Sequence, residues 1–286
     1  MAKDILSLIQ REMPGFSKGQ KRIANYILTS YEKAAFMTAS KLGQTVDVSE
    51  STVVRFAAEL GYDGYPAMQR TLQEMIRNKL TAVQRIQVSN DRLAHQDTLS
   101  TVLQADVENL RLTLEEVDRE AFARAVQAIL RAKRVYILGV RSSSALANFM
   151  TFYFNLILEN VTLVNTISTS ELFEQIFHIN QDDVFIGISF PRYSRRTVRA
   201  MRFAKDRGAT AIAITDSDLS PLCELADHIL MARSDMASFV DSLTAPLSLV
   251  NALIVAVSRE KNDELAETLG RLEQIWDEYG VYQKTE

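Results

Sequence analysis

An all-α N-terminal domain followed by a doubly wound α/β domain with a five-stranded parallel sheet is the fold class that this sequence of 286 residues predicts. Three observations predict it. Residues 1–79 read as short helices punctuated by Pro14, Gly15, Gly19, Gly43, Gly61, Gly64 and Pro66. Residues 80–117 contain neither Gly nor Pro and are polar and charged, as suits a helical linker. From about residue 118 onward, apolar runs of strand length alternate with longer segments of helical period. That alternation is the mark of parallel strands buried on both faces by crossover helices.

In the first domain, Ser17 and Gln20 form a capping-box pattern ahead of KRIANYILTSY, where Ile23, Tyr26 and Ile27 face inward. The segment 38–62, TASKLGQTVDVSESTVVRFAAELGY, carries the clearest signal. Ser49 caps a helix starting at Glu50, and Gly61 ends it. Val53, Phe56, Ala57 and Leu60 fall at i, i+3, i+4 and i+7 and form one buried stripe. Ser51, Thr52 and Arg55 lie largely off it. Upstream, Ala39, Leu42 and Gly43 make a short helix whose small Gly43 permits close helix–helix approach, with Asp47 at the turn. Pro66 sits in the first turn of a further helix from Tyr65 to about Arg77. Two helices joined by a short turn, the second exposing Ser, Thr and Arg, match the helix-turn-helix unit that enters the major groove. Arg55 suits guanine or a phosphate, and Ser51 and Thr52 have the reach for either. Ser49 lies at the same helix end. Lys18, Lys21, Arg22 and Arg70 suit phosphate contacts or a solvated surface equally.

The linker, with Leu80, Val83, Leu99, Leu103, Leu110 and Leu114, joins head to body. The strand candidates beyond it are VYILGV (135–140), VTLVN (161–165), DVFIGIS (183–189), TAIAIT (210–215) and HILMA (228–232). Helical patterns fall near 143–158, 170–179, 195–207 and 220–226, with Gly208 as a C-cap. A long apolar helix over 242–258 and a charged amphipathic one near 262–279 close the chain. Such sheets bind ligands at the carboxyl ends of their strands.

Composition sets the outer limits. The chain is 47% hydrophobic and 24% charged, the balance of a soluble globular protein. No apolar run approaches the roughly 20 residues that span a bilayer, and MAKDILSLIQREMPG does not read as a signal peptide. The one cysteine, Cys223, cannot close an internal disulfide, which suits a cytoplasmic location. Residues 1–80 carry a net charge of +3 and the remainder −7, a mildly basic head on an acidic body.

The run VSESTVVRFAAELGYDGYPAMQ, preceded by IANYIL and AAFMTASKLG, resembles the N-terminal domain of RpiR-type bacterial transcriptional regulators. The likeness extends over nearly the whole chain. It implies residues 1–79 as a DNA-binding helix-turn-helix domain and 80–117 as a helical linker. Residues 118–286 would then be a sugar-isomerase-type (SIS), flavodoxin-like domain with added C-terminal helices. The resemblance also implies double-stranded operator DNA and a small anionic, phosphosugar-like effector as partners. Repression is the commoner behaviour in that family. A homodimer, or two dimers paired into a tetramer, would set two reading heads on adjacent grooves.

In the resemblance, GVRSSSALANFM holds the turn that SIS proteins read as G-x-G-x-S. Gly139 and Ser143 match, Ser142 lies between, and Arg141 stands at the second glycine. SFPRYSRRT holds the turn read as S-x-S-G-x-T or S. Ser189 and Ser194 match there, while Pro191 and Arg192 occupy the middle Ser-Gly. Hydroxyls and free N–H groups at a helix start favour an anion, and guanidinium groups fork onto phosphate or carboxylate. Ser168 and Thr169, after the second strand, are ligand contacts or helix caps. Ser234, Met236 and Ser238 are placed to cover the crevice.

Isomerisation of a sugar phosphate needs a base and a ring-opening acid. The three histidines, His95, His178 and His228, all lie away from the ligand turns, and Glu171 is a cap as readily as a base. No catalytic residue, metal or cofactor is therefore expected. Two alternatives stay open: a sugar-phosphate isomerase with an accessory helical domain, and a regulator sensing a non-phosphorylated carboxylate.

Overall fold

The computed structural model describes residues 5–77, 83, 85–86, 97–166, 168–236 and 240–282. Leu80, His95 and Ser238 lie outside the described residues. The chain divides into two compact units, Met1–Thr101 with Ala237–Val240, and Val102–Met236 with Asp241–Glu286. The division falls inside the stretch read as the linker.

The first unit contains α1 (Ile5–Glu12), a 3-10 turn (Met13–Gly15), α2 (Lys18–Ala34), α3 (Ala39–Thr45), α4 (Glu50–Glu59) and α5 (Gly64–Arg77). Ser17 and Gln20 close the expected capping box, the Gln20 side chain accepting from Ser17 N–H at 2.8 Å. Thr38 caps α3 by accepting from Lys41 N–H at 3.2 Å. The stripe of α4 is buried throughout, as are Ile23 and Ile27 of α2 and Met68, Leu72 and Ile76 of α5, and these three helices pack against one another. Phe16 packs edge-on against Phe56 with ring centroids 5.1 Å apart. Each such fully buried aliphatic or aromatic side chain contributes roughly 1.5–3 kcal/mol. Tyr65 donates to the Met37 carbonyl at 2.7 Å, and burial pushes its phenol well above the usual range.

The second unit is built on β1 (Val135–Gly139), β2 (Val161–Leu163), β3 (Val184–Ile188), β4 (Thr210–Thr215) and β5 (His228–Met231). All pair in parallel, in the order β2-β1-β3-β4-β5. The helices are α6 (Thr98–Glu116), α7 (Arg119–Arg131), α8 (Ser143–Ile157), α9 (Thr169–Gln175), α10 (Arg195–Asp206), α11 (Thr244–Glu260) and α12 (Asn262–Glu278). One face of the sheet, with Ile137, Ile186, Ile188 and Ile214, packs on Ala125 and Ile129 of α7, Met150 and Phe154 of α8 and Leu253 and Val257 of α11. The other, with Tyr136, Leu138, Phe185 and Ala213, packs on Leu172 of α9 and Met201 and Ala204 of α10. The near-continuous apolar strands are thus covered on both sides.

Three sequence expectations change. Residues 220–226 form successive turns rather than a helix, with Cys223 N–H on the Ser220 carbonyl and Leu225 N–H on that of Leu222. The second strand stops at Leu163, at the edge of the sheet, and α9 stops at Gln175. Helix α7 was not singled out from sequence. Asp118 caps it, accepting from the N–H groups of Glu120 and Ala121 at 2.9 Å. Gly208 ends α10 as expected, at φ 85°, with Ala209 N–H on the Ala204 carbonyl. Helix α12 buries no side chain, and its half-buried Trp276 meets Tyr282 edge-on at 5.4 Å.

Candidate functional site

Two groups of sequence-predicted residues are brought together, one in each unit. In the first, the Ser49 hydroxyl caps α4. It accepts from Thr52 N–H at 3.3 Å and lies 2.9 Å from the Ser51 hydroxyl and 2.8 Å from that of Thr52. Arg55 folds back along the helix, its Nε donating to the Ser51 carbonyl at 3.2 Å. Ser51 and Arg55 are exposed, while Thr52 is half-buried toward Gly19 at the start of α2. Lys18, beside Gly19, is exposed near this end of α4; Arg70 is exposed on α5, apart from the group.

The turn before α4 explains two of its residues. Asp47 takes φ 53°, a left-handed conformation that Asp tolerates better than most side chains. Arg22 of α2 holds the Asp47 carboxylate at 2.9 Å, so this arginine is engaged in fixing the turn. Gly43 is buried, and a Cβ there would stand 2.8 Å from the Val48 carbonyl oxygen. The close approach at Gly43 is thus made to the backbone of the turn and the start of α4, rather than between two helix bodies as the sequence predicts.

In the second unit, β1 and β3 are neighbours whose connections leave to opposite faces. That is the switch point where doubly wound sheets open a crevice at their carboxyl ends. Gly139 pairs with Ile188, so the turns after β1 and β3 start side by side. A Cβ on Gly139 would meet the Ser143 carbonyl oxygen at 2.4 Å, which fixes glycine here. Ser143 is buried, Ser142 is exposed, and Ser144 donates to the Arg141 carbonyl at 2.6 Å.

After β3, the buried Ser189 hydroxyl accepts from Ser194 N–H at 3.0 Å. The Ser194 hydroxyl caps α10 by accepting from Arg196 and Thr197 N–H at 3.2 and 3.4 Å. Thr215 donates to the Ser189 carbonyl at 2.8 Å, and Tyr193 donates to the Asp216 carboxylate at 2.9 Å. Thr215, Tyr193 and Asp216 thus brace the turn from β4, a link that no spacing in the sequence displays. The Ser168 hydroxyl lies 2.8 Å from that of Ser170, and Thr169 opens α9. Arg196 reaches back to the Thr166 carbonyl at 3.5 Å, tying α10 to the turn after β2.

Arg141 has φ 57° and Arg192 has φ 65°. Both stand where the SIS strings place glycine, and both keep the left-handed backbone that makes glycine the usual choice. The conformation costs an L residue about 1–2 kcal/mol. Both side chains are exposed.

Two cavities lie elsewhere. One of 450 Å³ is lined by Phe173, Phe177, Phe203 and Arg207 on the outer side of α9 and α10. The other, of 870 Å³, sits at the amino ends of the strands between Arg124, Arg131, Asp183 and His228. Neither opens at the switch point. The chemistry follows the turns, because these carry the hydroxyls, helix starts and guanidinium groups that recognise an anion. The described histidines stay away from them: His178 follows α9, and His228 opens β5 at one edge of the sheet.

A helix-turn-helix head and a doubly wound sheet with a polar switch-point crevice define a ligand-responsive transcriptional regulator. The rpiR-family helix-turn-helix domain matches residues 3–79, and the SIS domain matches residues 128–256. The sugar-isomerase domain of an RpiR transcription factor from Sphaerobacter thermophilus is 30% identical. The match covers 63% of this chain and 99% of that one, with a TM-score of 0.60. The regulator HexR of Escherichia coli is 24% identical over 96% of this chain and 95% of its own. Vibrio vulnificus NanR, solved in complex with ManNAc-6P, shares the fold at 21% identity. Its TM-score is 0.59, over 98% of this chain and 100% of that one. The chain belongs to the RpiR family of helix-turn-helix transcriptional regulators.

Proposed function

We propose that the protein is a cytoplasmic homodimeric repressor, with head 1–79, linker 80–117 and sensing body 118–286, whose affinity for operator DNA is set by a phosphosugar-like anion. The exposed edge of α4 enters the major groove, with Arg55 and Ser51 reaching bases or phosphates. Ser49 and Thr52 hold the helix start, and Lys18 and Arg70 meet the backbone. The effector sits at the switch point between the turn of Gly139, Arg141, Ser142 and Ser143 and that of Ser189, Arg192 and Ser194, flanked by Ser168 and Thr169. Effector binding favours one spacing of the two heads over another.

One observation carries this reading: paired strands β1 and β3 end together at Gly139 and Ile188. Each then runs into a hydroxyl-bearing turn that opens a long helix. The ManNAc-6P complex of NanR supports a phosphosugar as the class of ligand. The protein acts as a sensor without turnover, because no histidine lies near these turns among the described residues and Glu171 bonds the Thr166 hydroxyl. The test is fluorescence anisotropy with promoter fragments from its own genome, with and without phosphosugars. Expected are specific binding and a shift in affinity with at least one phosphosugar. Turnover of a phosphosugar with no DNA binding would overturn it.

A further inference from the structure

We infer that α6 is the surface on which two copies of this chain meet, its Leu103, Val107, Leu110 and Leu114 pairing in parallel with the same residues of a second α6. The inference rests on the homodimer of the proposed function and names the helix that forms it.

Helix α6 runs for 19 residues and has three faces. The first is turned onto its own body. Asn109 and Leu112 are buried there, Asn109 bonds the Asp235 carbonyl, Thr113 accepts from Arg233 N–H, and Asp106 accepts from the Ser242 and Thr244 hydroxyls. The second is polar, with Arg111 held between Glu108 and Glu115 at 2.7 and 2.6 Å. The third is apolar. Leu103, Val107 and Leu114 are 54, 64 and 65% exposed, Leu110 between them is half-buried, and Leu99 continues the face one turn earlier at 68%. A row of large apolar side chains left in water along one helix edge marks an association site. The bonds to Asp235, Arg233, Ser242 and Thr244 fix the rotation of the helix, so the row is held outward and the ordering cost of an interface is reduced in advance.

The spacing of the row indicates what covers it. From Leu103 the apolar positions fall four, three and four residues apart. This is the a/d repeat of a coiled coil, with Leu103 and Leu110 at d and Val107 and Leu114 at a. Each such side chain packs into a gap between residues of a like helix, so the occupant is a second copy. Leucine at d with valine at the first a favours two parallel strands. The flanks agree: Gln104 and Arg111 stand at e, Asp106 and Thr113 at g. In a parallel pair each g residue faces the e residue five places further along its neighbour. Asp106 is thereby set toward Arg111, and no like charges meet at these positions. Arg111 keeps its glutamates, so this pair decides direction more than it adds affinity. A two-fold axis along the seam makes the contact self-complementary and lets both chains enter the pair at the same end.

The experiment uses the full-length protein. Sedimentation velocity over a concentration series measures dimerisation of the unchanged chain and of Leu103→Glu and Val107→Glu. Each substitution sets a carboxylate against its own counterpart in the seam, and the dimer dissociation constant should rise about 100-fold or more. Both replace exposed side chains, so the circular dichroism should not change. Direction is read by cross-linking in a Cys223→Ser background. Val107→Cys brings two thiols face to face across a parallel seam, within disulfide reach, and mild oxidation should join the copies. Glu108→Cys, on the polar face, should stay unlinked.

A dimer that keeps its affinity in both glutamate variants, or that links through Glu108→Cys as readily as through Val107→Cys, would overturn the inference while leaving the homodimer standing. A chain that sediments as a monomer throughout the series would overturn the homodimer and this inference with it.

Discussion

Asn109 of α6 makes two hydrogen bonds to the backbone of Asp235. Its Nδ2 donates to the Asp235 carbonyl at 3.1 Å and its Oδ1 accepts from Asp235 N–H at 3.2 Å. Asn109 is buried. Around it, Thr113 accepts from Arg233 N–H at 2.9 Å, and Asp106 accepts from the hydroxyls of Ser242 and Thr244 at 2.5 and 3.0 Å. Helix α6 is thereby fastened to the strand of chain that leaves β5 at the carboxyl edge, the edge that carries the crevice.

Replacing Asn109 by Ala leaves two backbone groups of Asp235 without their partner. A loss of about 1–3 kcal/mol is expected, read from the urea midpoint at unchanged slope. Asn109→Asp, which loses the donor and sets a buried carboxylate against the Asp235 carbonyl, should cost at least as much as alanine.

Arg55→Ala removes an exposed side chain whose bond within α4 is to its own helix. Stability should change by no more than about 0.5 kcal/mol. Operator affinity should fall about ten-fold, within the 1–3 kcal/mol of a base-edge contact. Anisotropy at one fixed salt concentration measures it; an unchanged affinity removes Arg55 from the reading edge.

Gly139→Ala places a methyl group 2.4 Å from the Ser143 carbonyl oxygen. The turn must open or α8 must shift, at a cost of about 1–3 kcal/mol. The thermal midpoint should drop, and effector binding should weaken with it.

Burial at the sheet edge lowers the pKa of His228, opposed by the Asp227 carboxylate beside it. The folded state therefore binds this proton more weakly than the unfolded chain does. Its contribution is fully present above the unfolded value and is lost as pH falls through the lowered one. Asp227 acts in the same sense. Burial would raise it, but the Ala211 N–H and Lys205 hold it below the usual carboxylate range. Stability should fall on acidification below about pH 6.5, and His228→Gln should flatten that part of the profile.

Much of this architecture is legible in the sequence because it is local. Ser17, Ser49 and Gly208 announce helix ends through chemistry confined to a few residues. Val53, Phe56, Ala57 and Leu60 display the period of the helix they bury. The apolar strands announce a sheet covered on both sides. What was not legible depends on contacts far apart in the chain. Tyr193 finds Asp216 across 23 positions, Asn109 finds Asp235 across 126, and Arg22 finds Asp47 across 25. The turns at 220–226 escaped because apolar spacing over seven residues is shared by a short helix and by successive turns. Arginine at two glycine positions was visible as a departure from the SIS strings; only the backbone angles show that the conformation persisted when the residue changed.

The chain has one tryptophan, Trp276, and it stands on the helix that buries no side chain. Indole emission from this protein therefore reports the C-terminal helix alone. A melting curve followed by that signal would register that helix losing its packing and carry no direct signal from the head, whose rings are all phenylalanine and tyrosine.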